Sequence, residues 1–407
     1  MSNWFVALVN GLRTPTPTVG PSAQRLVYLD VFRGLAVFFM FDAHVTDAVV
    51  HLGSSARPIH HWHNLTFNLP APGFLFVAGL SFGMAAFARW EQFHGWTTAM
   101  RSRLARLAEV LFVAYLLHVP TTALSRTLTS PETAMRRLFG WDILQCIGYT
   151  SLLLLGVAVC VPRREWFLRA CVALTLLIAL ASAWLNNIPW VATPDLPWWP
   201  QAWPMPWWIS TIFTKQLGSN FPFFPYAGFL TAGAIWGYLF AQSRPRSGEH
   251  GFLKSTLWTG VALLVACLLL AQVPLPPPYD DFWGGSPVFF FLRIGLLMAI
   301  LAALHFLESW LLPALGFIVT LGKESLIVYF VHLIIVYGSP VNRKWNLHQQ
   351  FRDGVDLWTW LGLLAAITVS MTALAWVWTR AKQRLGARLD RALWAGAALA
   401  TIFFVLR

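Results

Sequence analysis

Five ionisable side chains, Asp30, Arg33, Asp42, His44 and Asp47, lie within a stretch over 25–48 (RLVYLDVFRGLAVFFMFDAHVTDA) that is otherwise apolar enough to enter a bilayer. Charged groups at the centre of a membrane helix cost roughly 2.5–3.5 kcal/mol each on insertion scales, so they usually mark a working site. Ten residues separate Arg33 from His44. Eleven helical steps of about 100° fall within about 20° of three full turns, so both side chains leave one face, roughly 16 Å apart along the axis. That face presents a cation near one end and an imidazole further along. An imidazole titrates near neutral pH and suits general-base work. Asp47, at i+3, has the spacing to reach the His44 ring and orient it, whereas Asp42, at i−2, faces away. Residue types alone leave a second reading open, an interfacial arginine and a core histidine satisfied by a neighbouring helix.

A second polar group falls in 321–338 (LGKESLIVYFVHLIIVYG). Ser325, Tyr329 and His332 at i, i+4 and i+7 share one helix face, with Lys323 and Glu324 near its start. Three polar groups on one face of an apolar helix predict a stripe facing the bundle interior. Such a stripe serves either catalysis or an interhelical hydrogen-bonding seam worth about 0.6–2 kcal/mol per bond. Asp142 opens another apolar run, with Gln145 and Tyr149 on roughly the same side, and Glu109 and His118 lie in the run before it. Arg293 is embedded deeply enough to need an anionic partner, a carboxylate or a bound phosphate. His60, His61 and His63 form a loop cluster without nearby cysteine or carboxylate spacing, so no metal is expected. P-loop, G-x-G-x-x-G, G-x-S-x-G and zinc signatures are missing, which leaves ATP-driven transport and Ser-triad hydrolysis without support.

The elements that must position these groups are membrane helices. The chain of 407 residues is 57% hydrophobic, only 11% charged, and has a mean hydropathy of +0.58, against about 25% charged residues in soluble domains. Apolar runs of about 17–25 residues predict an all-α, polytopic transmembrane bundle of about 10–11 spans. Their limits are 28–51, 68–88, 104–122, 142–161, 166–185, 222–241, 256–273, 287–307, 313–338, 358–379 and 391–406. In the ninth, Pro313, Gly316 and Gly322 are positioned to split it into a short lead-in segment and a helix. With the N-terminus cytoplasmic, 17 of the 29 Lys and Arg fall on the inner side and nine on the outer, as the positive-inside rule requires. The net charge of +12 follows from that bias, and no nucleic-acid partner is expected; the lipid bilayer is. His44 then lies in the outer half of its helix. Residues 1–24 read as a cytoplasmic segment without a cleaved signal, and 25–407 as a single transmembrane domain. Cys146, Cys160, Cys171 and Cys267 read as small core residues rather than disulfides. The outer loop over 186–220, dense in Trp and Pro, fits either a cap whose rings stack on a sugar or an aromatic belt on lipid headgroups. A second outer loop over 273–287 carries Asp280 and Asp281.

Residues 29–36 (LDVFRGLA) resemble the L-D-x-x-R-G-L-A opening of integral-membrane acyltransferases, and the Arg33 to His44 spacing resembles their signature on the first catalytic helix. Four further segments, 71–81 (APGFLFVAGLS), 141–149 (WDILQCIGY), 221–237 (FPFFPYAGFLTAGAIWG) and 321–338, are similar in order to bacterial relatives of the heparan-α-glucosaminide N-acetyltransferase catalytic domain. The motif-bearing part is 25–338.

The resemblance implies a multi-pass enzyme of a bacterial cytoplasmic (inner) membrane. Such an enzyme takes an acyl group, usually acetyl, from acyl-CoA on the cytoplasmic side and passes it to an amine or hydroxyl of a saccharide or glycolipid acceptor on the other. Acetyl-CoA is then a co-substrate, Arg33 a contact for its CoA part, and His44 the base or transient acyl acceptor. Together with the residue reading, the candidate catalytic set is His44, Asp142 and His332; Arg33, Arg293 and Lys323 are candidates for holding the donor, and Ser325, Tyr329, Asp47 and His61 for the acceptor. Many relatives read Asp-His directly, whereas Ala43 here separates Asp42 from His44. A carboxylate partner from another helix, such as Asp142, is therefore expected, and the loop histidines 60, 61 and 63 stand as alternatives to His44. A transporter or flippase of a polar or lipid-linked solute, its path lined by Arg293, Lys323 and the histidines, is the other class the sequence admits. Homo-oligomerisation is left open.

Overall fold

The computed structural model describes residues 26–50, 69–187, 207–213, 219–280, 285–311 and 315–407. Among them there are helices and turns but no strand, in agreement with the all-α class. The long elements are α1 (Val27–Val49), α2 (Pro70–Ala88), α3 (Thr98–His118), α4 (Ile143–Cys160), α5 (Arg164–Asn187), α6 (Phe223–Leu270), α7 (Pro287–Phe306), α8 (Gly316–Lys323), α9 (Ser325–Tyr337), α10 (Leu357–Leu385) and α11 (Ala387–Leu406). Each predicted span contains helix. Among the described residues, eight helices are long and apolar enough to cross a membrane, α6 contributing two, Phe223–Arg244 and Gly248–Leu270, on either side of a break where Gly248 has φ +70°. The chain is a multi-pass membrane protein. α1 and α3 match the eight in length but carry more charge, which follows from Asp30, Arg33, Asp42 and Asp47 on one and Arg101, Arg103, Arg106 and Glu109 on the other.

The chain forms two compact units. The first takes in the described parts of Met1–Ala71, Leu116–Met135 and Leu307–Arg407. Its central element is α1, against which α8, α9 and α10 pack. Val37, Phe41, Val45, Ala48 and Val49 are all fully buried, and a helix apolar around most of its circumference belongs in the middle of a bundle. Two glycines allow α8 to reach the α1 backbone. A Cβ on Gly34 would overlap the Ile318 carbonyl oxygen, and one on Gly322 the Asp30 carbonyl oxygen. Small residues let helix backbones approach closely in a membrane, where packing rather than water drives association. On the α10 side, the Trp360 indole N–H donates to Thr46 Oγ1 at 3.0 Å in a buried site. α10 opens at Asp356, whose carboxylate accepts from the Thr359 amide at 2.8 Å. Hydrogen bonding from Thr359 holds that carboxyl below the usual range.

The ninth span is broken, as Gly316 and Gly322 foreshadow, but the sharp turn comes later, at Glu324. α8 and α9 meet there at 89°. Glu324 leaves helical geometry (φ −108°, ψ 29°) and its side chain is buried. Its carboxylate accepts from Lys382 Nζ at 2.6 Å and from Thr379 Oγ1 at 3.2 Å, both on α10. A buried carboxylate is tolerated when paired and hydrogen-bonded, so this bond set fixes the corner to α10. Breaking a fully buried pair costs about 3–5 kcal/mol; the Lys382 side chain is 51% exposed, and with that screening about 1–2 kcal/mol is expected. Lys382→Met should therefore lower the thermal unfolding midpoint in detergent, and a wild-type midpoint would show that the pair contributes nothing.

The second unit, Pro72–Tyr115 and Arg136–Phe306, is built around α6, which packs on α4, α5 and α7. α2 lies against its first half through Gly79 and Gly83 on one side and Gly233 and Gly237 on the other. α4 begins with a capping box: the Asp142 carboxylate accepts from the Ile143 amide at 2.8 Å, and Gln145 Oε1 accepts from the Asp142 amide at 3.2 Å. The buried hydroxyls of Thr175 and Thr231, 2.7 Å apart, join α5 to α6. Cys146, Cys160, Cys171 and Cys267 are free thiols.

Candidate functional site

In the first unit, α1 and α9 bring together His44, Asp47, His332 and Tyr337. The His44 Nδ1 lies 3.1 Å from the Tyr337 hydroxyl, and that hydroxyl donates to Asp47 Oδ2 at 2.6 Å. His332 packs beside His44, with ring centroids 5.4 Å apart and planes tilted by 35°. Phe41 and Tyr329 close around His332 at 5.1 and 5.5 Å. Exposure falls across the group, from Tyr337 at 37% through half-buried His44 to His332 at 0%.

His332 keeps one definite tautomer. Its Nδ1 lies 2.9 Å from the Val328 carbonyl oxygen one turn back, and a carbonyl only accepts, so Nδ1 carries the proton and Nε2 the lone pair. Among the described residues Nε2 has no hydrogen-bond partner. An unmet buried acceptor costs about 1–3 kcal/mol, so this nitrogen is a costly feature to hold at the core of the unit. Tyr329 shares its buried side as the helical spacing predicts, and Ser325 is half-buried at the start of α9.

Arg33 sits 3.6 Å from Asp30 Oδ1, one turn earlier on α1. Asp30 is 5% exposed and lies in the first turn, where the helix dipole favours an anion. The pair explains how both charges persist in an apolar helix. Lys323 is exposed in the last turn of α8, while its neighbour Glu324 is the buried group. In the second unit Asp142 caps α4. Tyr149 stacks on Trp141 with centroids 5.0 Å apart and shares a 2.7 Å hydrogen bond with the Tyr115 hydroxyl. Arg293, 7% exposed, lies face-on to the Phe289 ring at 3.9 Å and is hydrogen-bonded to Tyr226. His61, with His60 and His63, lies outside the described residues, as do Asp281 and most of the Trp-rich loop (188–206 and 214–218). Among the described residues no cluster of three or more His, Cys, Asp or Glu would hold a metal ion.

Sequence reasoning missed Tyr337 and Tyr226; it gave Asp47 the spacing to reach His44, and the Tyr337 hydroxyl contacts both. The capping role of Asp142 was signalled by the D-x-x-Q spacing.

The protein is a polytopic helical bundle of membrane spans that carries a half-buried, hydrogen-bonded histidine on α1. Residues 25–269, more than half of the chain, match the family described as "Heparan-alpha-glucosaminide N-acetyltransferase, catalytic". The chain belongs to that family of membrane acetyltransferases. The match runs from α1 to nearly the end of α6, so it takes in Arg33, His44, Asp47 and Asp142 and stops before Arg293 and the α8–α9 corner. No curated protein matches the chain significantly.

Proposed function

We propose that this protein moves an acetyl or other short acyl group from acyl-CoA to an amine or hydroxyl of a saccharide or glycolipid acceptor, with His44 as the general base. The observation that carries the reading is that His44, inside the family-matched region, is half-buried and held by hydrogen bonding beside a second imidazole. The acceptor O–H or N–H gives its proton to His44 while its oxygen or nitrogen attacks the thioester carbonyl carbon. The C–S bond then breaks, and the departing CoA sulfur takes the proton back from the imidazolium. His332, with Tyr329, Ser325 and Asp47, forms the wall against which the acceptor is set, and His61 belongs to the same acceptor set. The phosphates of the donor call for cations, and Arg33 and Lys323 of the first unit are the ones we assign to it, with Arg293 of the second unit as the alternative. Asp142 is left out of the chemistry because its carboxylate is engaged in capping α4. Donor on the cytoplasmic side, acceptor on the other, and an N-terminus facing the cytoplasm of a bacterial inner membrane complete the reading.

Purified full-length protein in nanodiscs, given labelled acetyl-CoA and glucosamine as probe acceptor, should release CoA thiol and form labelled product. Absence of both across amine and hydroxyl acceptors would refute the proposal. The broken span α8–α9 favours a second reading, because discontinuous helices are frequent at transporter binding sites. Uptake of a labelled solute into proteoliposomes without consumption of acyl-CoA would decide for a transporter.

A further inference from the structure

Arg293 is a cation inside an apolar helix, six steps past Pro287 and so about 9 Å along α7, and it is 7% exposed. α7 itself carries no carboxylate, and the helices packed on it, α5 and α6, carry one each. Glu165 of α5 is paired with its neighbour Arg164. Glu249 of α6 is shared by Arg244 and His305, and His305 is twelve residues beyond Arg293, about 18 Å further along α7. Among the described residues Arg293 forms no ion pair. An uncompensated charge is among the costliest groups to bury, and ionisable residues inside a membrane bundle usually mark a working site.

The surroundings of the guanidinium define what would complete it. The Phe289 ring covers one of its faces at 3.9 Å, and the Tyr226 oxygen accepts from one of its N–H groups. A ring stacked on the face leaves the in-plane N–H fork for recognition, and that edge matches two oxygens of one anion. Nε belongs to the fork, is buried, and has no hydrogen-bond partner among the described residues. Buried donors are nearly always satisfied, so the missing partner is a ligand that brings both charge and oxygens.

We propose that Arg293, backed by Phe289 and Tyr226, is a binding site for a phosphate group. Two sources of phosphate are at hand for a membrane acetyltransferase, the headgroups of surrounding phospholipid and the CoA part of the proposed donor. The donor case rests on the proposed function, the lipid case does not, and neither depends on His44. The site lies beyond the family-matched residues 25–269.

Full-length protein in detergent, as wild type, Arg293→Gln and Arg293→Lys, tests the site with two probes, CoA and dioctanoyl phosphatidylglycerol. Dissociation constants are read from the ligand-dependent rise of each protein's own unfolding midpoint. Wild type should bind at least one probe, and Arg293→Gln should weaken that binding about 10- to 100-fold, as expected for hydrogen bonds to a charged group. Arg293→Lys keeps the charge but loses the fork, so its loss should be smaller. Loss for CoA alone assigns the site to the donor, loss for the lipid alone to a headgroup, and loss for both makes phosphate itself the recognised group. A guanidinium kept only for structure would change the unliganded midpoint and leave both affinities as in wild type. That result, or no binding of either probe by wild type, overturns the proposal. Arg293→Lys carries the comparison alone if Arg293→Gln does not fold, and wild-type affinity in it overturns the proposal equally. Because binding is read without turnover, a protein that binds as expected but transfers no acyl group keeps the site and loses the proposed function. Acyl transfer by a protein whose affinities ignore Arg293 does the reverse.

Discussion

Protein carrying His44→Ala should insert and fold like the wild type and transfer no acyl group. A positioned general base supplies about 10²–10⁴-fold in rate, and the neighbouring imidazole of His332 is not placed to take over. His332 has its Nδ1 bonded to Val328 and is fully buried. The fold should tolerate the change because His44 is only half-buried and its hydrogen bond goes to exposed Tyr337, which retains Asp47. His332→Ala is a poorer test of chemistry. Its side chain is packed between Phe41, His44 and Tyr329, so truncation opens a cavity and damages the unit whether or not the ring takes part. Membranes containing each variant, assayed with labelled acetyl-CoA alongside a detergent-resistant folding probe, separate the two effects. Full transfer by His44→Ala would remove His44 from the mechanism.

The largest loss of stability should come from Gly79→Val or Gly233→Val. α2 and α6 meet through two G-x-x-x-G stretches, Gly79 with Gly83 and Gly233 with Gly237, and the contacts are reciprocal. A Cβ on Gly79 would overlap the Leu230 carbonyl oxygen, and one on Gly83 that of Ala234. On the facing helix, Gly233 approaches the carbonyl of Phe76 and Gly237 that of Leu80. The obstacle in every case is backbone, which cannot swing aside as a side chain can. Overpacking a core usually costs about 1–3 kcal/mol. Here the whole helix pair must separate, so the upper end or more is expected, with loss of the folded second unit for valine. Gly156→Ala is the matching control, since a Cβ there meets nothing within 4 Å, and it should melt at least as high as wild type. Thermal unfolding in one detergent compares all three, and a wild-type midpoint for both valine variants would mean that the helices do not pack at these glycines.

The spans were readable because each is a run of apolar residues long enough to cross a bilayer, and their positions depend on little else. The glycines of α2 and α6 were visible only as parts of similar segments; why a side chain is forbidden there depends on a partner about 150 residues away in sequence. Arg33 and His44 stood out because helical spacing aligns them, yet Asp30, one turn from Arg33, was not read as its counter-charge. Tyr337 was hidden for a geometric reason. It lies five residues after His332, about 140° around the helix, so it shares no face with the stripe that periodicity picks out. It reaches His44 from the flank of α9, and only the docking of two helices discloses that.

The corner at Glu324 has a consequence for the insulating layer of the membrane. α9 has 13 residues, which at about 1.5 Å each cover about 20 Å, two-thirds of a hydrocarbon core about 30 Å thick. The half-helix that carries His332 and Tyr337 therefore cannot seal the full thickness by itself, and α8 turns away at 89° instead of completing it. The remaining third of that thickness beside α9 falls to the helices packed on it, the 23-residue α1 that carries His44 and the 29-residue α10.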